Sequence, residues 1–107
     1  MNAITDIAAA VPIHPDGTLS RVLHSDERIR LLGFSFDRGQ ELTEHTAALP
    51  VLIQAITGTL DVTAGGETVR LVPGGWIALA PSEPHTVVAV EPSVLLLTML
   101  RGPQETA

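Results

Sequence analysis

Turn residues interrupt this chain at short intervals, and the runs between them suit strands better than helices. The breaks fall at Ser25-Asp26, Arg38-Gly39, Gly65-Gly66, Pro73-Gly74-Gly75, Pro81-Ser82-Glu83-Pro84 and Glu91-Pro92. Between them the pattern predicts strands over 20–24, 28–36, 51–57, 59–63, 68–72, 76–79, 85–90 and 93–101. Ala64-Gly65-Gly66-Glu67 is a hairpin signal, because Gly-Gly tolerates the positive φ such turns need. Ahead of the strands, Asn2 to Ala10 carries apolar residues at Ile4, Ile7 and Ala8 and is expected to form a short helix, stopped by Pro12 and Pro15. The expectation is an all-β chain, a sandwich or barrel, with an N-terminal helical arm over residues 1–18 and a β domain over 19–107.

Two of the expected strands are apolar on both faces, Val51-Leu52-Ile53-Gln54-Ala55-Ile56 and Val94-Leu95-Leu96-Leu97-Thr98-Met99-Leu100. A strand in a sheet with one solvated face needs only one apolar side. The second side must be covered by the N-terminal segment or by another chain. A homodimer is the expectation, and the arm alone is the alternative. Aromatic residues are too few to form the core, with one Trp and two Phe, so aliphatic side chains must fill it. Trp76 itself is expected to pack inward.

Composition narrows the partners. The net charge is -6 and no basic stripe is present, which argues against nucleic acid. No apolar stretch approaches a membrane span, and the segment 3–11 carries Asp6 without a basic start, unlike a signal peptide. A soluble, cytoplasmic protein is expected. Cysteine is absent, which removes disulfides, thiolate metal sites and thiol nucleophiles. No phosphate-cradling loop, nucleotide fingerprint or nucleophile elbow is present.

Two stretches have a spacing that resembles the cupin motifs. Gly39 is followed after five residues by His45, and Gly58 closes the first motif at the family's distance. Ala47 stands where the motif has a second His, and Val51 where it has Glu. In the second motif Gly74 and His85 are in place. Ala80, Ser82 and Ala89 replace the Pro, Gly and Asn, and Pro81 falls one place late. The chain thus resembles a small, single-domain, RmlC-like cupin with a depleted metal motif.

The resemblance implies a double-stranded β-helix, the jelly-roll barrel. It also implies a place for a divalent metal such as Fe, Mn, Ni or Zn, of which only His45 and His85 remain as ligands. Ala47 and Val51 have no donor atom. Gln54 is a third candidate, although strand parity sets it on the face opposite Val51. His14, His24, Glu41 and Glu44 match no ligand position, and Glu83 stands two residues before His85. Three readings stay open. The first is a binding protein whose pocket is formed by His45, Val51, Ile53 and His85. The second is a metal-dependent enzyme, a dioxygenase or isomerase, using His45 and His85. The third is a side-chain-filled structural module.

Overall fold

The computed structural model describes residues 1–45 and 48–101, with side chains at all of these but Glu44 and His45. One helical turn, α1 (Ile7–Ala10), precedes nine strands. They are β1 (Thr18–Ser25), β2 (Ile29–Phe36), β3 (Glu41–His45), β4 (Val51–Thr57), β5 (Leu60–Ala64), β6 (Glu67–Leu71), β7 (Trp76–Leu79), β8 (His85–Ala89) and β9 (Ser93–Leu100). The helix is shorter than the sequence pattern suggests. It starts only where the Asp6 carboxylate accepts the Ala9 amide as an N-cap. β3 is the strand the pattern missed. Its two carboxylates and a register shift hide the period-two alternation that marks a strand.

The strands form two antiparallel sheets, ordered β1-β2-β9-β4-β7 and β3-β8-β5-β6. The connections 37–40, 58–59, 72–75 and 90–92 are among those that pass from one sheet to the other. They stack β2 over β3, β4 over β5, β7 over β6 and β9 over β8. The expected barrel therefore takes the form of a flattened jelly-roll sandwich. The predicted hairpin is present, with Ala64 opposite Glu67 and both glycines at positive φ.

Alternation fills the space between the sheets. Val51, Ile53 and Ala55 point inward from β4, while Leu52, Gln54 and Ile56 lie on its outer side, half-buried. Leu60 and Val62 of β5, Val87 and Ala89 of β8, and Leu95 and Leu97 of β9 meet them, with Phe36 of β2, in one mostly aliphatic core. Trp76 departs from expectation. It is 63% exposed, on the outer side of the edge strand β7, whose inward positions belong to Ile77 and Leu79.

The N-terminal segment lies across the outer side of the five-stranded sheet, where α1 packs against β2 and β4. Val11 is fully buried over Gly33, where a side chain on the strand would collide with it. Burial of that valine is worth about 1.5–3 kcal/mol. Ser35 Oγ donates to the Pro12 carbonyl at 3.0 Å, and the Arg21 guanidinium to the Ala10 carbonyl at 3.1 Å. Val94, on the outer face of β9 beside Ser35, is buried in this region. The arm thus covers part of that outer side, over β2. Among the described residues no helix is long and apolar enough to cross a membrane.

The 58–59 crossing spans only two residues. Gly58 has φ +77, and a Cβ there would run into Ser93 Oγ and the Pro92 carbonyl. Ser93 is fully buried and accepts the Thr59 amide at 3.0 Å. Gly58→Ala is therefore expected to cost about 2 kcal/mol or more, from left-handed backbone strain alone before the clash. Urea unfolding measures it, and a wild-type midpoint would contradict the account.

Carboxylates hold three other local structures. Asp26 bonds His24 Nε2 and the amides of Arg28 and Ile29, at 2.7, 2.7 and 3.0 Å. The His24 bond, and then the two amides, hold its pKa far below the usual Asp value. Asp37 is lowered by the Asp16 and Arg38 amides, and Asp61 by the Arg70 guanidinium opposite it. Folded values below unfolded ones mean stability that is complete above the unfolded pKa, about 3.9, and lost as pH falls through the folded values. Stability should thus decline progressively below about pH 4. Asp26→Asn should flatten that decline, as followed by circular dichroism during acid titration.

Candidate functional site

The pairing of β3 with β8 contains an irregularity that decides what faces His85. Glu41 pairs with Val88 and Leu42 with Val87. Unbroken, that register would bring Glu44 opposite His85. A shift between Leu42 and His45 inserts one residue, and His45 pairs with His85 instead. Bulges of this kind re-aim side chains next to functional sites. Cross-strand partners share a sheet face, so the two histidine positions of the motifs occupy adjacent places on one face. That face is the inner one, because Val87 and Ala89, in step with His85, belong to the core.

His85 is 2% exposed. Its Nδ1 lies 2.9 Å from the Glu83 carbonyl. A carbonyl only accepts, so Nδ1 carries the hydrogen and donates it. In the neutral ring the lone pair then sits on Nε2. The loop that supplies this carbonyl is braced by Glu83, whose carboxylate accepts the Ala80 amide at 3.0 Å. Ser82 in the same loop has φ +63. That is the left-handed conformation glycine adopts without penalty, so the Ser82 substitution keeps the glycine's shape at some cost in strain.

Val51 belongs to the same end of the sandwich. It pairs with Leu79 on one side and Met99 on the other, while His85 pairs with Ala64. The crossings at 58–59 and 90–92 join the opposite ends of these strands, so the Val51–Met99 end and the His85–Ala64 end fall together. Positions 45, 51 and 85 thus converge at one end, with Ile53 one layer deeper. Ala47 lies outside the described residues. Gln54 pairs with Leu96 and Trp76 on the outer side of its sheet, away from this end's interior.

The donor set of this end does not match a tight mononuclear metal centre. Three or four protein ligands are usual, and Ala47 and Val51 offer none. Among the described residues no three His, Asp or Glu side chains gather in a metal-binding group. Gln54 faces the wrong way to be the third.

One residue escaped the sequence reading. Arg30 of β2 pairs with Met99, which packs against the core, while its neighbour Leu31 faces the outer side. Arg30 therefore occupies the inner face, in the row that continues through Met99 to Val51. Its Nε is buried and has no hydrogen-bond partner among the described residues. A buried donor left unmade costs about 1–3 kcal/mol. Parity with Leu32, Phe34 and Phe36 is the signal that could have placed it, but a charged residue near a strand end reads as a solvated flank.

The remaining candidates lie elsewhere. His14 is exposed, and His24 is held by Asp26 at the turn between β1 and β2. Glu41 is exposed. A cavity of about 500 Å³ opens under the arm, between Ile4, Ile7, Leu23, His24, Leu31 and Leu96. It is on the outer side of the five-stranded sheet, across the sheet from the paired histidines.

The tautomer of His85 can be checked directly. Long-range proton–nitrogen correlation spectra should show His85 protonated at Nδ1 when neutral. A neutral ring protonated at Nε2 would contradict the bond to Glu83.

No family model matches the sequence, and no curated protein matches it. Solved structures do. A conserved protein of unknown function from Streptococcus pyogenes superposes with a TM-score of 0.85 at 29% identity, covering 94% of this chain and 89% of the other. An RmlC-like cupin from Desulfovibrio desulfuricans reaches 0.84 at 23% identity, over 94% of this chain and 97% of its own. A cupin superfamily protein from Desulfitobacterium hafniense reaches 0.77 at 21% identity, over 81% and 80%.

Proposed function

This chain has the cupin fold, and on that premise we propose that it binds a small molecule at the end of the sandwich where the two motif histidines meet. His45 and His85 supply polar contacts, and Val51 and Ile53 supply the apolar wall. The observation that carries this reading is the shifted β3–β8 register, which makes position 45 the partner of His85 on the face that carries the core. A few placed polar groups in an apolar surround is the usual make-up of a ligand site.

A second reading, a metal-dependent dioxygenase or isomerase, draws on one observation. The Glu83 carbonyl accepts from His85 Nδ1 and so fixes the tautomer and orientation of the ring, as partners of metal-bound histidines do. Two imidazoles then need further donors that this chain does not supply from positions 47 and 51.

Metal analysis separates the two. Untagged protein purified without chelator is expected to carry metal well below one equivalent. The double substitution Ala47→His and Val51→Glu should create zinc affinity absent from the native chain, measured by competition with a chromogenic chelator. Stoichiometric native iron, manganese, nickel or zinc that His45→Ala abolishes would replace the binding reading with the enzymatic one.

A further inference from the structure

Resting on the binding reading above, we propose that the ligand carries an oxyanion and that Arg30 is its anchor. The argument starts from the row in which Arg30 sits. Across the five-stranded sheet, Arg30, Met99, Val51 and Leu79 occupy consecutive inward positions at one end. Across the other sheet, the row at that end is His45, His85 and Ala64. Since β2 lies over β3, Arg30 and His45 are on facing strands at the same end.

Charge makes this arrangement unusual. The chain has twelve acidic residues against six basic ones. Even so, no carboxylate pairs with Arg30 among the described residues, and its buried Nε has no acceptor there. Three other arginines have side-chain partners. Arg21 ties down the arm, Arg70 pairs with Asp61, and Arg101 donates to the Asp26 carbonyl. Arg30 is placed inward without such a partner.

Guanidinium chemistry then selects the ligand. The group is permanently charged, offers five donors and accepts nothing. Its planar fork matches a carboxylate or a phosphate. The row that holds Val51, at the position where the resemblance expects a carboxylate, holds this cation instead. A site with that change of sign repels a metal cation and favours an anion. Carboxylate and phosphate share the required geometry, and the experiment distinguishes them.

The test is a titration of the full chain at one pH, followed through the His85 ring signals by nuclear magnetic resonance. The probes are acetate, benzoate and inorganic phosphate, with acetamide and benzamide as neutral isosteres. The expected result is a saturable shift with an anion and binding about tenfold weaker or more for the matching amide. Response to acetate or benzoate assigns the carboxylate class, and response to phosphate alone assigns the phosphate class. Arg30→Met should erase the preference for the anion, and Arg30→Lys should restore part of it. If Arg30→Met fails to fold, the comparison of charged with neutral probes on the native chain decides alone. Equal binding of benzoate and benzamide at His85 would overturn the anion proposal while leaving the binding site intact. No response at His85 to any probe would overturn both.

Discussion

Everything in this structure depends on how the chain passes from one sheet to the other. At 58–59 it does so in two residues, which requires the left-handed turn at Gly58 and the buried hydroxyl of Ser93 beside it. The 90–92 crossing ends at the same point, where the Val90 amide bonds the Thr59 carbonyl at 2.9 Å. These two connections lock the layers against each other at one end. Strand lengths and alternation then leave no choice about which residues meet at the other. The aliphatic core fills the middle, and the motif histidines, Val51 and Arg30 are delivered to the far end.

Two features set the donors and the charge of that far end. Its carboxylate position has become Val51, and an inward arginine shares the row. The first change removes a ligand. The second changes the sign of the local charge. A buried guanidinium Nε without an acceptor among the described residues fits an anionic occupant better than a cationic one. The bulge in β3 belongs to the same account, because without it a glutamate position would pair with His85 and restore negative charge there.

Much of the fold was legible. The glycine pairs marked turns, the Gly65-Gly66 hairpin formed where its positive φ values allow, and parity placed Gln54 on the face opposite Val51. These are local properties, decided by one or two residues and a period of two. β3 was not legible, because its charged residues and extra residue break that period. Trp76 was assigned inward on the general habit of indoles, whereas parity on β7 gives the inward places to Ile77 and Leu79. Arg30 could have been placed by parity, but nothing local says that the row it joins contains Val51.

The sequence by itself determined the strands other than β3, most of their inward and outward faces, and the identity of the two histidines that keep the motif spacing. Those follow from side-chain alternation and backbone preferences, which act over a few residues. Only the tertiary structure decided that His45 and His85 are register partners, that Arg30 stands in the row of Val51, and that the N-terminal arm seats Val11 against β2. Each of these depends on a register or a crossing between strands distant in the chain, and a one-residue shift in any of them would bring a different set of residues together.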